Sequence, residues 1–431
     1  MSPTIRLLAT LLLIGPCWLS ASPPTSAGAS AEQLVSWRRD FHAHPELGNR
    51  ETRTAKVIAE QLRSWGLKVE TGIAHTGVVG LLEGAHPGPR LALRADMDAL
   101  PVAEQTGLAF ASTQTTEFRG ETVGVMHACG HDGHMAILLG VAKTLAQARD
   151  QLSGSVLFIF QPAEEGAPQG EQGGAKLMLE EGLFERYQPD AVVGLHLLSN
   201  FRVGTVAVRA GPLMAEADRF TIVVSGRQTH GSRPWSGIDP ILVSARIIDG
   251  LQSIVSRRVD LTRSPAVVSV GAIKGGIRYN IIPDQVELVG TIRSFEDDVR
   301  EGIYADIERI AQHTAQAHHA SATVEIQRPT IVTVNDPTLT RRLRPSLVTA
   351  LGAEQVIEAA PSTVAEDFAY FAQAIPGFYF FVGSTPEGQD LDQVPTNHSP
   401  MFDIDEQSLT VGQKALLQVS LDFLAGPAAS Q

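Results

Sequence analysis

Apolar positions along the chain switch repeatedly between helical and strand spacing. Leu34, Trp37 and Phe41 recur at intervals of three and four, and Val57, Ile58, Leu62 and Trp65 do the same, which predicts two amphipathic helices. Val78–Leu82 and Leu91–Ala95 are short continuous apolar runs, the pattern of strands covered on both faces. A helix from about His134 to Ala148 and strands at Val156–Phe160 and Ala191–Leu195 continue the alternation. Such an order favours an α/β fold, an open sheet with helices on both faces.

Between Arg219 and Arg328 the rhythm changes. Strand Phe220–Val224, helix Pro240–Ser256, strands Ala266–Ala272 and Val286–Arg293, helix Asp297–His318 and strand Ala322–Gln327 follow in the order βαββαβ, the split ferredoxin-like arrangement. A strand at Phe378–Val382 and a helix from about Glu406 to Leu424 then resume the first pattern. One α/β domain in two parts, residues 32–218 and 329–431, is therefore expected around an inserted unit, residues 219–328.

Residues 1–21 stand apart. Arg6 precedes the apolar run Leu7–Ile14 and the small residues of Leu19-Ser20-Ala21, the layout of a secretory signal peptide, with cleavage somewhere from Ala21 to Ala31. The run is far short of the ~20 residues that span a bilayer. Pro16 stands where a lipoprotein signal places a small residue before its cysteine. An exported protein, periplasmic or secreted, without stable membrane insertion is the expectation. Cys17 would leave with the signal, so the mature chain would keep Cys129 as its one thiol and form no internal disulfide.

The 431 residues are enough for two or three domains, and 43% hydrophobic against 19% charged residues excludes disorder. With 34 Lys+Arg against 47 Asp+Glu, the net charge of −13 argues against a nucleic-acid partner, because phosphate binding concentrates cations.

The densest group of candidate ligands is Met126-His127-Ala128-Cys129-Gly130-His131-Asp132-Gly133-His134, just before a predicted helix. A thiolate among imidazoles suits a borderline-soft divalent ion such as zinc. A Cys/His nucleophile pair is the competing chemistry. A free buried cysteine beside helix-capping groups is the bland alternative, and three histidines packed around one cysteine weigh toward metal. Gln161-Pro162-Ala163-Glu164-Glu165-Gly166 follows an apolar strand, where open α/β sheets place their ligands. One carboxylate there can hold a metal while its neighbour serves as general base; a solvated acidic turn is the alternative. His196 ends another apolar run, Asp96 and Asp98 close a third with their side chains on one face, and His398 lies in a turn-rich loop. The two acids are candidates to orient imidazole ligands. None of these three features is decisive alone.

Taken together, Cys129-Gly-His131-Asp-Gly-His134, Pro162-Ala-Glu164-Glu165-Gly, Arg94-Ala-Asp-Met-Asp98-Ala-Leu-Pro, Phe41-His-Ala-His-Pro-Glu-Leu-Gly48 and Asn280-Ile-Ile-Pro-Asp284 resemble the M20 metallopeptidase family. The likeness is to the amidohydrolase branch with hippurate hydrolase, N-acyl-amino-acid deacylases and plant auxin-conjugate hydrolases, and it spans about Leu34 to Leu424. It implies a metal-dependent exopeptidase-like catalytic domain interrupted by a ferredoxin-like lid and dimerisation domain. It implies two divalent ions per subunit, zinc or manganese with nickel or cobalt allowed, held by Cys129, His131, Glu165, His196 and His398. Glu164 would be the general base and Asp98 the acid that supports the ligands; His230 would complete a partner's site, while Arg278 and Asn280 would hold substrate. The implied partners are a second copy, as a homodimer, and a small N-acyl amino acid or dipeptide. Arg227-Gln228-Thr229 depart from the glycine or histidine residues common before that lid histidine, which bears on substrate choice more than on chemistry. An exported dipeptidase or carboxypeptidase stays open. So does a non-catalytic peptide- or metal-binding protein, against which Glu164 beside Glu165 argues.

Overall fold

The computed structural model describes residues 28–426, and the expected signal segment lies outside them. Eight strands form the larger sheet, in the order Lys68–Ile73, Gly77–Glu83, Ser153–Gln161, His86–Asp96, Ala191–Arg202, Gly377–Thr385, Val206–Val208 and Val356–Glu358. From Ser153–Gln161 to Gly377–Thr385 the strands run parallel, so their carboxyl ends share one edge.

Period two explains how these runs are buried on both sides. Leu91, Leu93, Phe158, Phe160, Phe378 and Phe380 pack with Leu34, Phe41, Ile58, Leu62, Ile137 and Leu416 in one core. Their neighbours Ala92, Leu157, Ile159, Tyr379 and Phe381 pack on the other face with Phe368, Phe371 and Met178. Each fully buried large apolar side chain contributes roughly 1.5–3 kcal/mol. The helix His131–Gln147 is buried almost all round. A Cβ on its Gly133 would stand 2.4 Å from Leu197 Cδ1, so this close helix–strand approach requires glycine.

The inserted unit has its own sheet, antiparallel throughout, in the order Val267–Gly275, Gln285–Arg293, Asp218–Ser225, Ser321–Gln327. Counted along the chain, that order is second, third, first, fourth, the ferredoxin-like topology. Helices Pro240–Arg257 and Asp297–Ala317 close its core around Phe220, Ile222, Ile247, Leu288 and Ile307. Arg300 ties the two chain crossings together: it pairs with Asp218 at 2.5 Å and donates to Thr330 O at 3.2 Å.

The sequence reading misses some elements. The strand expected to stop at Leu195 continues to Arg202 because Gly377–Thr385 pairs along it, so His196 sits within a strand. The helix Pro337–Leu351 went unread; it accommodates Pro345 in its interior. The hairpin Thr115–Phe118 with Glu121–Gly124 is mostly exposed and has no apolar alternation to announce it. Among the described residues, no helix is long and apolar enough to cross a membrane.

Candidate metal centre

The site is assembled at the carboxyl ends of the parallel strands. The register pairs Asp96 with Gln161 and Arg94 with Gly194, so Asp96–Asp98, Pro162–Glu165 and His196 converge on one edge. Gly130, left-handed at φ 91°, turns the chain into the helix His131–Gln147, with Cys129 and His131 on either side of the turn. The loop of His398 arrives from the second part of the chain: His398 N donates to Ala128 O at 2.7 Å.

Cys129 Sγ lies 3.5 Å from His196 Nε2 and 3.2 Å from His398 Nε2. His398 Nε2 is also 2.9 Å from Glu165 Oε1. Ligand atoms of Cys129, His131 and His196 all fall within 4.8 Å of one another, and so do those of Cys129, Glu165 and His398 and those of His131, Glu164 and Glu165. Cys129 and His131 are thus each shared between neighbouring groups. All five residues that the resemblance implies as ligands meet here, with Glu164 at the margin.

Hydrogen bonds select the free ring nitrogens. His131 Nδ1–H donates to Asp98 O at 2.8 Å, which leaves Nε2 buried without a partner. His196 Nδ1–H donates to Leu197 O at 2.8 Å and turns Nε2 toward Cys129. His134, from the same motif, has both nitrogens engaged: Nδ1–H donates to Asp96 at 2.7 Å, and Nε2 accepts from Leu197 N at 2.8 Å. It is a structural histidine. Asp98 supports two neighbours, since its Oδ2 accepts Glu165 N–H at 2.9 Å while Oδ1 stands 3.3 Å from His131 Nδ1.

A divalent cation fits this donor set. His131 Nε2 and Asp98 Oδ1 are buried without a hydrogen bond, a costly arrangement for polar atoms unless something else satisfies them. Electrostatics point the same way. Burial opposes charge on His131, yet Asp96 and Asp98 outweigh it and raise its pKa to about 10. Burial and then Glu165 and Glu164 push the Cys129 thiol well up, so a thiolate there requires an adjacent cation.

Glu164 sits 3.9 Å from His131 Nε2 with only 9% of its side chain exposed. Burial, then Glu366 and Glu165, hold its carboxyl well above the usual range. Behind it, fully buried Arg94 donates to Asp96 and Glu366 at 2.8 Å each and to Asp367 at 3.2 Å. Tyr379 OH donates to Glu366 at 2.7 Å. The loop ahead of Glu164 is strained: Ala163 is left-handed at φ 51°, which costs a residue with a Cβ about 1–2 kcal/mol. Its N–H donates to Glu51 Oε1 at 2.9 Å.

The structure does not bring the inserted unit's candidates to this cluster. His230 is exposed, with Nδ1 accepting from Ser232 N at 3.0 Å. Arg278 is exposed, and Asn280 accepts Gly231 N–H at its backbone oxygen at 2.8 Å. Trp235, Ile277 and Tyr279, close to them in sequence, are 78%, 96% and 94% exposed.

Sequence reasoning missed Glu51, Glu366, Asp367 and Asn397 and gave Arg94 no role. The adjacent acids Glu366-Asp367 ahead of the apolar Phe368–Ala374 helix were a usable signal of the kind that found Glu164-Glu165. Asn397 offered none, since its role is to donate to Cys129 O and Leu197 O, at 3.1 Å each.

A profile of Peptidase family M20/M25/M40 matches residues 92–422. Thermostable carboxypeptidase 2 of Saccharolobus solfataricus is 40% identical over 90% of this chain and 95% of its own. The N-acetylcysteine deacetylase of Bacillus subtilis is 38% identical over 91% and 97%. Among solved structures, the Bacillus subtilis YXEP protein, titled a dinuclear metal-binding peptidase from the M20 family, is 35% identical with a TM-score of 0.75, covering 92% of this chain and 98% of that one.

Proposed function

This chain belongs to peptidase family M20/M25/M40 and is a hydrolase of that family, and on that premise we propose that it cleaves the amide bond of N-acyl amino acids or related small amides with two divalent ions. The observation that carries the reading is the pair of neighbouring carboxylates with divergent surroundings. Glu165 faces His398 and Cys129 in the donor cluster, whereas Glu164 faces the acids Glu366 and Asp367. Cys129, His131, Glu165, His196 and His398 would hold the ions; sulfur with imidazole favours zinc over magnesium or calcium, and the Glu165 carboxylate also allows manganese. Bound there, divalent cations supply Lewis acidity that acidifies a water and polarises the amide carbonyl. Glu164 takes the water's proton on a carboxylate oxygen and returns it to the departing nitrogen. Asp98 keeps His131 in the tautomer that leaves Nε2 free.

His230 of a partner subunit would donate to the developing oxyanion, and Arg278 would pair with the free carboxylate of the amino acid. The exposed Trp235, Ile277 and Tyr279 support an interaction surface near His230, and we assign it to a homodimer made through the inserted unit. Export with cleavage somewhere from Ala21 to Ala31 completes the reading; mass spectrometry of the native secreted or envelope fraction tests it, and an intact Met1 in a cytoplasmic pool rejects it.

Metal-defined protein assayed on a panel of N-acyl amino acids and dipeptides tests the activity. Turnover of N-acyl amino acids, lost in chelator and restored by divalent metal, is expected. Turnover of dipeptides alone would move the assignment to an exopeptidase, the reading that similarity to the carboxypeptidase favours. Activity in chelator that thiol alkylation abolishes would instead make Cys129 a nucleophile.

A further inference from the structure

We propose that Glu51 is a positioning residue for Glu164, acting through the backbone of Ala163. The inference rests on the reading of Glu164 as the proton carrier. Glu51 is fully buried at the N-cap position of the helix Thr52–Ser64, yet its side chain makes no capping bond. Glu46 takes that duty instead, accepting Arg53 N–H at 3.0 Å and Thr54 N–H at 2.9 Å. Freed from the helix, the Glu51 carboxyl group turns toward the site. Oε1 accepts Ala163 N–H at 2.9 Å, and Oε2 accepts the Thr76 hydroxyl at 2.5 Å.

Ala163 needs that anchor because its backbone is left-handed at φ 51° without being glycine. The turn closes with Gly166 N donating to Ala163 O at 3.3 Å. A Cβ on Gly48 or Gly173 would come within 3.1 Å of Ala163 Cβ, so glycines leave room for it on both sides. Relaxation of φ at Ala163 would redirect the chain at the next residue, which is Glu164. Without Glu51 the buried Ala163 N–H also loses its acceptor, so the observed conformation is penalised twice. A misplacement near 1 Å at a reacting group is enough to cost about 100-fold in rate.

The test compares kcat, KM and bound metal in variants of the metal-loaded protein. Glu51→Ala should lower kcat by about 10- to 100-fold, with KM within about twofold and metal content unchanged. Glu51→Gln keeps an oxygen for Ala163 N–H and should restore kcat to within about threefold of wild type. Ala163→Gly placed in Glu51→Ala should recover several-fold in kcat, because glycine adopts the left-handed turn unaided. A generally loosened structure would not be rescued at that one backbone position. Should Glu51→Ala not fold, Glu51→Leu fills a similar volume without an acceptor and carries the same expectations.

Unchanged kcat in the acceptor-free variant overturns the proposal. An effect confined to KM or metal content, or a glycine substitution that worsens the defect, also overturns it. Glu164→Gln, run alongside, separates the two levels: if it is active, the proton-carrier reading falls and this inference with it. If Glu164→Gln is inactive while Glu51→Ala is fully active, positioning by Glu51 alone is rejected.

Discussion

His398 Nε2 lies 3.2 Å from Cys129 Sγ although 269 positions separate them in the sequence. Asn397 holds the contact in place, donating to Cys129 O and to Leu197 O and so joining three segments at one amide. His398 itself is left-handed at φ 72° and its side chain is half exposed; its other restraints are its N–H to Ala128 O and its contact with Glu165.

Asn397→Ala should therefore weaken metal binding by about 10- to 100-fold, the usual cost of losing a group that orients a ligand. Isothermal titration with zinc or manganese reads this directly. Equal affinity in wild type and variant would mean that the loop holds His398 without the amide.

Glu164 and Glu165 are neighbours with different surroundings, and their substitutions should separate. Glu164→Gln is expected to lower kcat by roughly 10²–10⁴ with metal content unchanged, whereas Glu165→Gln should lose metal. Elemental analysis beside steady-state kinetics decides it, and equal metal loss in both would break the division of roles.

His42 should make stability fall in alkali. Burial opposes its charge, but hydrogen bonds to Asp132 at 2.8 Å and Glu104 at 3.1 Å outweigh it and raise its pKa to about 9. Because the folded value exceeds the unfolded one, the stabilisation is fully present below about pH 6.5 and is lost as pH rises through about 9. The advantage of wild type over His42→Gln in urea unfolding should shrink by about 3 kcal/mol across that window. A pH-independent difference would show that His42 is uncharged in the folded protein.

If His230 completes a partner's site, inactive variants should complement one another. His230→Ala and Glu164→Gln dimers mixed under subunit exchange would form heterodimers in which one site has both an intact Glu164 and a partner's intact His230. Partial recovery of activity is expected. No recovery despite exchange demonstrated by native mass spectrometry would place His230 within its own chain's site or outside the reaction.

Much of the fold was legible because its signals are local. Phe158 and Phe160 alternate with Leu157 and Ile159 between two cores, so a run buried on both faces betrays the central sheet wherever it occurs. Helix spacing within 219–328 likewise announces the βαββαβ order before any contact is known. Pro345 misleads because propensity penalises an interior proline, while burial of Leu339, Leu343 and Leu347 on the same helix favours keeping it.

The site divides along the same line. Residue type and spacing alone single out Cys129 with the histidines around it and Glu164-Glu165, since soft donors and paired acids are visible in the sequence itself. They cannot tell His131 from His134, which share a motif and a side chain. That choice depends on which ring nitrogen stays free, and Asp98 O and Leu197 N, delivered by different strands, decide it. Glu51, Arg94 and Asn397 were silent for a related reason: each acts on a backbone or carboxylate that only strand register and loop docking bring within reach. His230 is the converse case. Sequence places it on the inserted unit, and the folded chain leaves it exposed there, away from the cluster that strand register assembles.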